Sequence, residues 1–220
     1  MPASRHGYGG QGLGQAVSAG AVGLIAPTRY VEKAIEEFEV DGVKMVFQNT
    51  PNTEAPREMN TYIPEMKALW MAENVIASLH NIYTLRGAPV RDPLNWSKYI
   101  GEALFRFGQE AEVMFASHHW PRWGNERIQE VLRGQRDLYA HMNNQVLHFA
   151  NQGVTINEIH NVYEVRHQCP LQAGEHAEIA AAQAPDRMRA RLEILHARRV
   201  SAMRLPYRNV VVHVGAPSAT

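Results

Sequence analysis

The chain has 220 residues, room for one full domain or for one domain with part of another. An apolar share of 45% can bury a core, which excludes wholesale disorder, and a formal charge of zero gives no electrostatic reason to expect a nucleic-acid partner. The lone cysteine, Cys169, excludes an intrachain disulfide and leaves the compartment open.

Residues 1–28 carry Gly7, Gly9, Gly10, Gly12, Gly14, Gly20 and Gly23 and read as a loop. They lack the compact apolar stretch that a signal sequence or a membrane span needs. No GxGxxG follows an expected strand, so no dinucleotide site is expected.

Residues 29–125 are expected to alternate short strands with helices. Phe38–Val40 and Val43–Phe47 flank Asp41-Gly42, the signature of a two-residue hairpin, since glycine accepts positive φ. The run Lys67–Met71 reads as a strand, followed by a helix from Ala72-Glu73-Asn74 to about Leu85, closed by Gly87. Asp92-Pro93 marks a turn. Trp96, Tyr99, Ile100, Ala103, Leu104 and Phe107 keep helical spacing, which places a second helix from about Asn95, its expected N-cap. Glu112–Ala116 reads as a further strand, ending at Ser117-His118-His119-Trp120-Pro121.

From Asn125 the pattern is helical. Ile128, Val131, Leu132, Leu138, Met142, Val146 and Phe149 form one stripe of a long helix that ends at Gly153, and this stripe needs a partner surface. Thr155-Ile-Asn-Glu158 is a capping box opening a short helix. After Val165 the texture changes: eight arginines, no lysine and the single cysteine.

Glu54, Glu73 and His118 fall where strands or turns end. In layered α/β folds such loops converge on one sheet edge, and carboxylates with imidazole suit zinc or a similar divalent ion. On spacing alone each is also an ordinary solvated loop residue. His80, placed inside the expected helix, reads as an interfacial histidine. His141 and His148 share a helix face without a carboxylate at ligand spacing, and Trp70, Trp96, Trp120 and Trp123 read as core or boundary aromatics.

Three blocks narrow this. Asn49–Met59 resembles the TEAP-x-EM segment of the alkylsulfatases that degrade dodecyl sulfate and related detergents. Met71-Ala72-Glu73-Asn74 with Leu79–Ala88 resembles their AEN…LHN-x-YTLRGA block, and Phe115–Pro121 resembles their HHWP block. The similarity runs from about residue 10 to about residue 164. It implies an α/β fold: the C-terminal half of a metallo-β-lactamase αββα sandwich over 1–124, then the helical start of a dimerisation domain over 125–165. The remainder, 166–220, is a divergent tail, out of frame or disordered.

The resemblance further implies a two-zinc site with Glu54, Glu73 and His118 as metal ligands, and Arg86 facing the sulfate as a planar cationic fork. The implied substrate is an alkyl sulfate ester and the implied partner of the intact protein is a second copy. The family's first motif, HxHxDH, is absent; His6 is the only histidine before Glu54. The expectation is therefore a truncated chain, inactive or nearly so by itself. The alternatives are a non-catalytic dimerisation module, or another hydrolase of the metallo-β-lactamase fold. Localisation is left unassigned, with a periplasmic or secreted parent protein still open.

Overall fold

A computed structural model describes residues 21, 23–77, 79–83, 89–163 and 209–211. Eight strands run in chain order with three α-helices: β1 (Arg29–Val31), β2 (Ile35–Val40), β3 (Val43–Asn49), β4 (Met59–Ile63), β5 (Ala68–Trp70), α1 (Pro93–Arg106), β6 (Val113–Phe115), β7 (Arg122–Trp123), α2 (Asn125–Asn151), α3 (Ile159–Val162) and β8 (Asn209–Val211). Strands β2 to β7 form one sheet in sequence order; β1 pairs antiparallel with β8 from the tail.

The hairpin forms as expected, with Asp41 at φ +51 and Gly42 at φ +81, the pair of left-handed residues that a type I′ turn requires. Every neighbouring pair in the six-stranded sheet is antiparallel except β5 and β6. Parallel neighbours need a crossover, and α1 supplies it.

One face of the sheet carries Val46, Tyr62, Leu69 and Met114 against Trp96, Ile100 and Leu104 of α1 and Ile128, Leu132 and Tyr139 of α2. The long helix matches its expected extent, and Gly153 follows it at φ +84. Its apolar stripe finds its partner inside the chain, against α1 and the sheet, so the stripe needs no second copy to cover it. Residues on both sides of position 124 share that core.

Two expected elements differ. Helix α1 starts at Pro93 and its N-cap is Asp92, not Asn95: Asp92 Oδ1 accepts from the amides of Leu94 and Asn95 at 3.1 Å. The Asp-Pro pair read as a turn is the cap itself.

No helix forms among the described residues of 72–85. The chain turns at Ala72 (φ +46), and its carbonyls find side-chain donors instead of amides one turn on. Trp96 Nε1 donates to the Asn74 carbonyl at 2.9 Å and Gln135 Nε2 to that of Ile76 at 2.6 Å. Tyr139 Oη donates to the carbonyl of His80 at 3.1 Å. The two helices thus hold the chain at Asn74, Ile76 and His80 in irregular structure over the sheet edge. Strand β4 and the short edge strands β1 and β7 were not expected from the sequence.

The capping box appears, with the Thr155 amide donating to Glu158 Oε2 at 3.0 Å, although α3 itself begins at Ile159. No helix among the described residues is long and apolar enough to cross a membrane.

Candidate metal centre

The parallel pair β5 and β6 brings two site residues together. Their register aligns Leu69 with Met114 and Trp70 with Phe115, and Glu73 and His118 follow at equal distances past those pairs. Side chains at matching offsets beyond parallel strands emerge side by side. His118 Nε2 lies 3.0 Å from Glu73 Oε2. The two loops are tied by Met71 N to Phe115 O at 2.9 Å and Ser117 N to Ala72 O at 2.8 Å.

The residues flanking the pair are backbone outliers. Ala72 sits at φ +46 and His119 at φ +72, conformations that cost L-residues on the order of 1–2 kcal/mol. Non-glycine residues persist there when surrounding contacts over-determine them, a pattern that gathers at functional sites.

A third group joins them. His80 Nε2 lies 3.3 Å from Glu73 Oε2, and one ligand atom from each of Glu73, His80 and His118 falls within 4.8 Å of the other two. Trp96 lies beside the His80 ring at 5.8 Å, and Tyr139 holds its carbonyl. The sequence reading put His80 on a helix as an interfacial histidine and missed it as a site residue; its place inside the Leu79-His80-Asn81 block was the signal that could have found it.

Burial pushes the Glu73 carboxyl up, but the hydrogen bond from His80 and the charge of His118 outweigh it, leaving Glu73 below the ordinary carboxylate range. Two imidazoles and a carboxylate form a zinc donor set with one position left open. Donor atoms bound tetrahedrally at ~2.0–2.1 Å stand roughly 3.3 Å apart, close to the 3.0 and 3.3 Å contacts here. The residues present fit a divalent ion.

Glu54 follows β3, whose end shares a sheet edge with the end of β5, yet it lies outside the converging group. Its carboxylate pairs with the Arg91 guanidinium, and its carbonyl accepts from Arg91 Nε. It also bonds Glu58, whose carboxyl is pushed up to about 8, first by burial and then by the charge of Glu54. Arg91 is 5% exposed; its Nη1 donates to the Asn81 carbonyl at 2.8 Å and to Asn81 Oδ1, and stands 3.2 Å from His80 Nδ1. Burial pulls the guanidinium down and the charge of Glu54 opposes it. Arg86 lies outside the described residues.

Behind the loops runs a buried amide ladder. Gln48 Nε2 donates to Tyr99 O and Glu102 Oε2, both at 3.1 Å; Asn60 Nδ2 donates to Gln48 Oε1 at 2.9 Å. Asn74 Nδ2 donates to Asn60 Oδ1 at 2.8 Å and to Thr50 Oγ1 at 3.0 Å. It links α1 through β3 and β4 to the residue beside Glu73.

Fold and site define a mixed α/β unit: a sheet backed by helices on one face, with a carboxylate–imidazole group on loops at one edge. No family model matches the chain. A linear primary-alkylsulfatase of Pseudomonas sp is 48% identical over 159 residues, covering 72% of this chain and 24% of the relative. The alkyl/aryl-sulfatase BDS1 of Saccharomyces cerevisiae is 48% identical over 148 residues, covering 67% of this chain and 23% of that protein. The solved inverting sec-alkylsulfatase Pisa1 from Pseudomonas sp. matches at 35% identity with a TM-score of 0.69, over 76% of this chain and 26% of that one.

Over the stretch it shares with them, the chain is similar to alkylsulfatases. It spans about a quarter of the length of these curated relatives.

Proposed function

We propose that this chain carries the later part of a two-zinc centre that hydrolyses alkyl sulfate esters in the intact protein. The observation that supports it most is the convergence of Glu73, His80 and His118 at the edge where β5 and β6 end. Glu73 and His118 act as metal ligands in this reading. His80 completes the three-donor group from the loop that both helices hold. Glu54, paired with Arg91 here, is the second carboxylate ligand that the resemblance implies. Zinc, when bound, supplies a water of lowered pKa and neutralises charge on the ester. Arg86 is assigned to the departing sulfate, whose oxygens match a guanidinium fork.

The chain by itself holds at most one ion, because the HxHxDH ligands are absent from its sequence. Titration of the purified chain with Zn2+ should give a stoichiometry no higher than one, and Glu73→Gln or His118→Ala should each weaken binding by about tenfold or more. Dodecyl sulfate with Zn2+ should show no turnover. Supplying a separate segment that bears HxHxDH should restore it. Robust turnover by the chain alone, or unaltered Zn2+ binding in both variants, would sink the reading. The homodimer implied for the intact protein would need a surface other than the buried stripe of α2, and light scattering of that protein tests it.

A further inference from the structure

Glu54 and His80 come from two different loops. Glu54 lies between β3 and β4, whereas His80 and Asn81 lie between β5 and α1. The Arg91 side chain reaches both, as Asn74 does through Thr50. Arg91 sits just before the cap of α1, and its amide donates to the Ile82 carbonyl at 3.1 Å, while the adjacent Asp92 amide donates to the Asn52 carbonyl at 2.9 Å. The guanidinium is therefore anchored by backbone to both loops before its own donors are counted.

Those donors are nearly all committed. Nε takes the Glu54 carbonyl, Nη2 takes the Glu54 carboxylate, and Nη1 takes the carbonyl and side-chain oxygens of Asn81. Nη1 has two protons, and the two Asn81 oxygens use both. His80 Nδ1, 3.1 Å from the same Asn81 carbonyl, is then oriented by that oxygen. With a divalent ion bound, a histidine whose Nδ1 donates to a backbone carbonyl would offer Nε2 as the ligand, and that nitrogen faces Glu73 Oε2 at 3.3 Å.

We infer that Arg91 is the positioning residue of this centre: one planar fork sets the placement of the Glu54 carboxylate relative to the His80 imidazole. The inference rests on the metal-site reading above. Lysine cannot substitute, because a single ammonium reaches one loop at a time. A merely charge-balancing residue would be replaceable by any cation of similar size.

The test uses the whole chain with Arg91→Ala and Arg91→Lys. Zn2+ affinity, measured by calorimetry, should fall about 10–100-fold in both variants, the loss typical when the groups that orient a ligand are removed. Millimolar methylguanidinium should restore Arg91→Ala, and methylammonium should not. Wild-type affinity in either variant, or equal rescue by both cations, overturns the inference. If Arg91→Ala does not melt cooperatively, Arg91→Lys carries the test with the same readouts. A wild-type chain that takes up no Zn2+ sinks the metal reading alone. The role of Arg91 is then read from the 15N resonances of the His80 ring, which should shift in Arg91→Lys; unshifted resonances overturn it.

Discussion

Glu58 holds its proton through its surroundings. Its carboxyl, pushed up to about 8 from an ordinary 4.5, binds a proton more tightly in the folded chain than in the unfolded one. Its contribution to stability is therefore complete below about 4.5 and is lost as pH rises toward 8. Denaturant titrations of the metal-free chain across that window should show stability falling with pH. The slope for one proton is at most ~1.4 kcal/mol per pH unit, and Glu58→Gln should flatten it.

Asn74 tests the amide ladder in the same way. Asn74→Leu removes the donor to Asn60 Oδ1 and Thr50 Oγ1. Each orphaned buried group costs about 1–3 kcal/mol, and thermal melts should record the loss. Only the family blocks around them singled out Glu73 and His118 in the sequence, because on spacing alone each reads as an ordinary loop residue. Arg91 was not legible. Nothing local separates an arginine that bridges two loops from one that faces solvent.

Among the elements, α1 carries the most consequence for the site. Trp96 is fully buried, lies over Tyr139 with ring centroids 4.6 Å apart, and donates to the Asn74 carbonyl. Trp96→Ala should destabilise the chain by about 3–5 kcal/mol. Asp92→Ala, which removes the cap, should cost ~1 kcal/mol. Both are measurable by urea unfolding. The helix was legible from its spacing, whereas its first turn was not. Asp-Pro serves a turn and a helix start equally well, and only the tertiary contact of the Asp92 amide with the Asn52 carbonyl separates them. The segment 72–85 misled for a related reason. Its apolar spacing suits a helix, but donors from α1, α2 and Arg91 arrive from far along the chain, and no window of local sequence contains them.

On the scale of the whole molecule, one core joins the sheet to both long helices, while the metal donors sit at a single edge. The family blocks made this division visible in the sequence. The closure of the α2 stripe inside the chain was not, since a stripe records that a partner exists without recording where. The same arrangement bears on how such chains tolerate insertions. The β5–β6 register fixes Glu73 against His118 through the short spacers that follow each strand. The crossover between them, from the loop after Ala72 through α1, can lengthen at its exposed turns without shifting that alignment. A single residue gained or lost between Trp70 and Glu73, or between Phe115 and His118, would instead rotate one donor away from the other. Length variation is thus confined to exposed turns of the crossover clear of His80 and Arg91, and excluded from two spacers of two residues each.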